Sequence, residues 1–153
     1  LSRAPCVLIV HGNYLSAEEL DYLATQPRMS VVYCPRTHAA FGHSPHPWLT
    51  LRERGARVVL GTDSRASNPD LSLFRELQWL HERFSGVPVS VLLAMATRDA
   101  AEAVGLAADL GRLEPGQRAA LTVVRPARPL EREDWGGLLE RGAQARPLGG
   151  GGR

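Results

Sequence analysis

Three side chains that can move protons or hold a metal each follow a short apolar run. His11 follows residues 6–10 (CVLIV), His38 follows residues 30–34 (SVVYC), and Asp63 follows residues 58–60 (VVL). A carboxylate in such a place can ligate a divalent ion and take the proton of its bound water. An imidazole opposite can hold or polarise that water, or a developing oxyanion. The pairing therefore suits metal-assisted hydrolysis. Plainer readings stand beside it: Asp63 capping a nearby amide or pairing with Arg65, and His11 as a structural histidine next to Gly12.

The elements around these residues make convergence possible. The three runs have the length and β-branched content of buried strands, and residues 6–10 read as a strand covered on both faces. Ser16 and Glu19 are spaced as a capping box, with Leu15 and Leu20 at staple positions, predicting a helix through about Gln26. Residues 35–38 read as the close of the second strand, and the Gly-, Pro- and His-rich residues 39–47 as an ordered loop. Residues 48–54 read as a short helix with Gly55 just past its end. After Asp63, Asn68-Pro69-Asp70 supplies an N-cap, a proline at the first helical position and an early acid. Leu73, Phe74, Leu77, Leu80 and Phe84 then share one face of the following helix. Alternating strands and helices predict a parallel sheet with right-handed crossovers. In such a sheet all strand C-termini point one way, so His11, His38 and Asp63 can meet.

Residues 89–96 and 99–106 read as two further helices, the second capped by Thr97. Pro115-Gly116 marks a type II turn, and residues 121–124 (LTVV) a further strand. Beyond Arg125 the chain is rich in Arg, Gly and Pro, with a short helix expected near residues 134–141 and disorder in the Gly-rich residues 149–152.

With 153 residues, 44% hydrophobic and 22% charged, the composition is that of one ordinary globular domain. Net charge is +2, carried by arginines spread along the chain, and no basic stripe interleaves with aromatics. Nucleic-acid polymers are therefore not expected partners. No apolar segment approaches the roughly 20 residues of a membrane span, and no signal-peptide pattern is read in these residues. Cys6 and Cys34 lie in strand-like runs and read as buried thiols of a cytoplasmic protein. The start at Leu1, running almost at once into a strand, suggests a piece of a longer protein.

Residues 10–15 (VHGNYL), 34–42 (CPRTHAAFG) and 60–77 (LGTDSRASNPDLSLFREL) resemble the last three βα units of the amidohydrolase superfamily, in its deaminase and chlorohydrolase branch. Residues 96–106 (ATRDAAEAVGL) and 110–124 (LGRLEPGQRAALTVV) are similar to that family's tail. The resemblance implies an α/β fold, the C-terminal part of a TIM (β/α)8 barrel with strands six to eight and their helices, plus a strand of a small β-domain. By this reading residues 1–108 are barrel units, 109–126 carry the small-domain strand, and 127–153 form a C-terminal extension. His11 matches the strand-six histidine that contacts water and substrate, and Asp63 the strand-eight aspartate, a metal ligand and proton shuttle. His38, in a segment lining the substrate pocket, stands where many relatives have asparagine; Ser67 in the GTDSRAS segment is a further substrate-binding candidate. Ala120 stands where relatives usually have aspartate.

The family's HxH on strand one, its strand-five histidine and the acid after it are absent from this sequence. His43 and His46, in the Pro-rich loop, read as surface or pocket-lining residues and no substitute. A catalytic zinc site normally takes three protein ligands, and this chain offers Asp63. The resemblance thus implies part of a hydrolase or deaminase acting on a C–N bond in a cyclic amidine or heterocycle. Its implied cofactor is a divalent metal, Zn²⁺ foremost with Fe²⁺ or Mn²⁺ as alternatives, and the chain alone is expected to be inactive. Expected partners are a small-molecule substrate, the N-terminal part of the same barrel and, for a sheet with open edges, a second copy. A different class, a non-catalytic half-barrel interaction module, is the alternative. A flavodoxin-like nucleotide binder is disfavoured, because HGNYLS offers no glycine-rich phosphate cradle.

Overall fold

A computed structural model describes residues 4–148. Three strands, β1 (Val7–Val10), β2 (Met29–Tyr33) and β3 (Arg57–Leu60), form a parallel sheet in the order β1-β2-β3. Val7 to Val10 pair with Met29 to Val32, and Ser30 to Tyr33 with Arg57 to Leu60. Helix α1 (Ala17–Ala24) links the first two strands. Its Ser16 cap is the expected box: Glu19 N–H donates to Ser16 Oγ at 3.3 Å, and Ser16 N–H to Glu19 Oε2 at 2.7 Å. Helix α3 (Trp48–Glu53) leads into β3.

Side chains alternate across a sheet. Met29, Val31, Tyr33, Val58 and Leu60 point to one face and form the core with Trp48 and Leu51 of α3. Helices α4 (Leu73–Arg83) and α5 (Val89–Ala96) add Leu77, Leu80, Leu92 and Met95 to this core. The other face is covered unevenly. Val59 is buried, while Leu8 and Val10 are 44% and 53% exposed. Strand β1 is therefore half-exposed and alternating, not covered on both faces as expected. It is an edge strand, and about half of Leu8 and of Val10 is open to solvent.

Other expectations are corrected too. Residues 35–38 are helical, in α2 (Pro35–Ala40), with Pro35 at its first position, where the missing N–H has no intrahelical partner to lose. Ser72, not Asn68, caps α4, its Oγ accepting from Arg75 N–H at 3.3 Å. Asn68 is drawn into a buried polar network, and the left-handed Leu71 (φ 50°) interrupts the chain between them. Thr97 precedes α6 (Arg98–Ala103), which ends three residues short of Leu106. Thr97 holds the expected N-cap position, but its hydroxyl donates back to the Leu93 carbonyl at 2.7 Å and makes no side-chain cap bond. Cys34 is buried, and Cys6 only half-buried.

The turn at Pro115-Gly116 forms as expected, with Gly116 at φ 93° and Gln117 N–H donating to the Glu114 carbonyl. Strand β4 (Thr122–Arg125) pairs antiparallel with a strand the sequence did not announce, β5 (Gln144–Pro147). Near residues 134–141 only a 3₁₀ turn forms, Gly136–Leu138, since its two glycines disfavour a longer helix. The expectation for residues 149–152 lies outside the described residues.

Candidate active site

His11 and Asp63 stand one and three residues past the ends of β1 and β3. Two strand spacings, about 10 Å, separate their backbones, yet His11 Nε2 lies 4.0 Å from Asp63 Oδ1. Both backbones are left-handed, φ 69° at His11 and 61° at Asp63. For residues other than glycine that conformation costs about 1–2 kcal/mol each and persists only where the surroundings enforce it. In a continued strand His11 would follow Val7 and Ile9 onto the core face. The left-handed step takes it out of that alternation and toward Asp63.

The enforcing contacts are visible. His11 N–H donates to the Val32 carbonyl at 2.9 Å, extending the β1–β2 ladder, and the His11 carbonyl accepts from His46 Nε2 at 2.6 Å. Gly61 ends β3 where no side chain fits: a Cβ there would lie 2.6 Å from Val32 Cγ1. Asp63 then enters a tight loop in which Asn68 N–H donates to the Ser64 carbonyl and Ser67 Oγ donates to Asp63 Oδ2 at 2.6 Å. Helix α2 braces this loop. Thr37 Oγ1 donates to the carbonyls of Thr62 and Ser67 at 3.3 and 3.4 Å, and Arg36 donates to Asn68 Oδ1 at 2.6 Å.

Beneath the loop lies Glu76 of α4, 0% exposed. Its carboxylate accepts from Arg36 N–H at 2.9 Å and from Asn68 Nδ2 at 2.8 Å, and pairs with Arg36 Nε at 3.0 Å. Burial pushes the Glu76 carboxyl up, against the pull of these donors.

The sequence placed His38 with His11 and Asp63. The structure puts it on α2, buried, edge-on to Tyr33 at 5.7 Å and beside the rings of His43 and His46. Burial, then the neighbouring His43, holds its pKa below the ordinary value. His46 is no surface residue: at 8% exposure it stacks on Tyr33 with centroids 4.2 Å apart. Its Nδ1 is buried and has no partner among the described residues, as suits a neutral ring whose proton sits on Nε2. Tyr14 and His43 join the loops after β1 and α2 through a 2.7 Å hydrogen bond. Sequence reasoning missed Tyr14, Tyr33, Arg36, Thr37 and the structural place of His46. Pro35, a helix-start signal, was the one clue to α2.

Burial pushes the His46 pKa down to about 4, against an ordinary value of 6.5. A lowered folded pKa means the unfolded chain binds more protons between those values, so stability is lost as pH falls. Denaturant midpoints between pH 7 and pH 4 should reveal a loss of about 3 kcal/mol from this group. His46→Phe, which cannot titrate, should flatten that slope.

Asp63 meets the requirements of one metal ligand. One oxygen is fixed by Ser67, and the other accepts no hydrogen bond among the described residues; metal-binding carboxylates are commonly held this way. Among the described residues no group of three His, Cys, Asp or Glu side chains could hold an ion. A groove of about 700 Å³ lies away from both residues, lined by Leu77, Leu93, Ala100 and Leu121 among others. Its lining is mostly leucine and alanine, with Arg112 and Arg118 the charged residues. No helix among the described residues is long and apolar enough to cross a membrane.

Known proteins share this architecture. An adenosine deaminase from Xanthomonas campestris, solved with bound zinc, superposes with a TM-score of 0.66 at 28% identity, over 75% of this chain and 28% of that one. A 5-methylthioadenosine/S-adenosylhomocysteine deaminase of Halobacterium salinarum is 38% identical over 123 residues, 76% of this chain and 28% of that protein. The Teredinibacter turnerae protein of the same name is 35% identical over 122 residues, 75% of this chain and 27% of that protein. The chain thus spans between 27% and 28% of the length of these two relatives. A model of the amidohydrolase family matches residues 1–148, and this chain belongs to that family.

Proposed function

We propose that this chain is the C-terminal part of a metal-dependent deaminase that hydrolyses the exocyclic C–N bond of an aminopurine nucleoside. One observation carries the reading: His11 and Asp63 reach each other across β2 in enforced left-handed backbones, with one Asp63 oxygen held and one open. The substrate class follows from the deaminase relatives. β1, β2 and β3 are assigned to strands six, seven and eight of a barrel whose remainder would cover Leu8 and Val10. Residues 1–108 would be barrel units, and the β4–β5 pair would belong to the small β-domain. The two free thiols agree with a cytoplasmic protein.

A bound divalent metal, zinc foremost and Fe²⁺ or Mn²⁺ otherwise, would acidify a water at the site. Asp63 would hold the ion through Oδ1 and accept the proton of the attacking water. His11, 4.0 Å away, is placed so that one oxygen can touch both side chains, and it would orient the nucleophile. Ser67 keeps the Asp63 carboxylate from rotating, and its hydroxyl is already engaged there. His38, in its aromatic cluster, would shape the wall behind the substrate. Water adds to the ring carbon, the C–N bond breaks, and ammonia leaves with the proton Asp63 returns.

The test uses the longer natural protein that contains this chain. Metal content and ammonia release are measured with 5-methylthioadenosine, S-adenosylhomocysteine and adenosine. About one divalent ion per chain and turnover of at least one compound are expected, with this chain alone inactive. A longer protein that binds no metal and releases no ammonia would falsify the enzyme reading and leave the non-catalytic half-barrel.

A further inference from the structure

We propose that His46 is a positioning residue for the hydrolytic site, holding His11 in the conformation that faces Asp63; this rests on the function proposed above. The φ and ψ of a residue are fixed when both of its peptide groups are tied. At His11 the N–H is tied to Val32 in β2, and the peptide group that follows is tied twice: Gly12 N–H donates to the Val10 carbonyl at 3.1 Å, and the His11 carbonyl accepts from the His46 Nε2–H at 2.6 Å. The first bond continues the sheet and would suit any residue in an extended strand. The Gly12–Val10 bond turns the chain locally at His11, and the His46 bond ties that turn to the fold, holding the carbonyl out of the strand direction in the left-handed state (φ 69°) in which the imidazole reaches to 4.0 Å from Asp63.

His46 is well placed to enforce this. It is buried, stacked on Tyr33, and followed by Pro47 and the buried Trp48 at the start of α3. Tyr33 is the last residue of β2, the strand between those that carry His11 and Asp63. A carbonyl oxygen only accepts, so Nε2 carries the proton, and Nδ1, buried with no partner among the described residues, agrees with a neutral ring. The donor cannot rotate away without losing the stack. His46 is 35 residues from His11 in sequence, so this restraint belongs to the tertiary fold.

The experiment compares His46→Phe, which keeps a stacking ring and removes the donor, with His46→Gln, whose amide N–H replaces Nε2–H. Both are made in the longer natural protein. For His46→Phe, kcat should fall by about 10²-fold, the scale of a small misplacement of a reacting group, with KM changed far less. His46→Gln should recover most of that loss. A second readout needs no activity: in protein with isotope-labelled histidine, Asp63→Asn should perturb the His11 imidazole NMR signals in the wild type and much less in His46→Phe. Unchanged kcat in His46→Phe, or loss of kcat and thermal stability together with no recovery in His46→Gln, overturns the proposal. Equal His11 responses to Asp63→Asn in both backgrounds overturn it as well. A wild-type protein that deaminates nothing sinks the proposed function alone, and the NMR comparison still decides whether His46 positions His11.

Discussion

Asp63→Asn in the longer protein is expected to lower kcat by about 10³-fold, within the range for loss of a group that moves a proton in the transition state. It should also lower the content of bound divalent metal. Asparagine keeps the size of the side chain and can still meet the Ser67 hydroxyl, so the loop should remain folded. What it loses is the negative charge and the basic oxygen at Oδ1, the one atom of the carboxylate left open toward His11. Ser67→Ala separates orientation from chemistry: the carboxylate stays and only its anchor goes. Losing a partner behind a metal ligand commonly costs 10–100-fold, so about tenfold is expected. Metal analysis with steady-state ammonia release measures both variants. If Asp63→Asn retains metal and turnover and alters only the melting temperature, the carboxylate is structural.

The second large effect lies under the loop. Glu76→Ala is expected to destabilise the protein by about 3 kcal/mol, the range for breaking a buried pair from one side. The cause is what the carboxylate leaves behind. Arg36 loses an acceptor for both its backbone N–H and its guanidinium, and the buried Asn68 loses its acceptor at 2.8 Å. Alanine also leaves a cavity where Glu76 was wholly buried. The damage should reach the site, because Arg36 and Asn68 anchor the loop that carries Asp63, and Asp70 shares the Arg36 guanidinium at 2.8 Å. Urea unfolding gives the stability, and kcat measured well below the melting temperature gives the reach of the network. A loss under about 1 kcal/mol, the worth of an exposed pair, would show that Glu76 is not the keystone of this network.

Much of this protein was legible one residue at a time. The three strands were readable because β-branched runs of the right length sit between turn residues, and observed ends differ by at most one residue. The Ser16 box was readable because both of its bonds are local. The face of α4 followed from spacings of three and four, but its start did not. Asn68 and Ser72 both satisfy local cap chemistry, and only the claim of Arg36 and Glu76 on Asn68 decides between them. The second strand of the β4–β5 pair was hidden for a similar reason, since residues 144–147 (QARP) carry no strand signal of their own and are extended by pairing.

The sequence by itself determined which residues could do chemistry and that His11 and Asp63 stand at matching ends of strands, because strand direction follows from βα alternation. It also carried the family resemblance that the match over residues 1–148 supports. Tertiary structure decided how those residues are held. The left-handed backbones at His11 and Asp63, the Ser67 anchor, the α2 brace and the His46 donor arise from contacts between chain segments. His38 was assigned to the pocket by position and was placed in the aromatic cluster by packing against Tyr33. Local chemistry sets where a strand must end. The direction of the side chain beyond that end depends on which neighbouring groups tie its two peptide bonds, and those neighbours come from distant sequence.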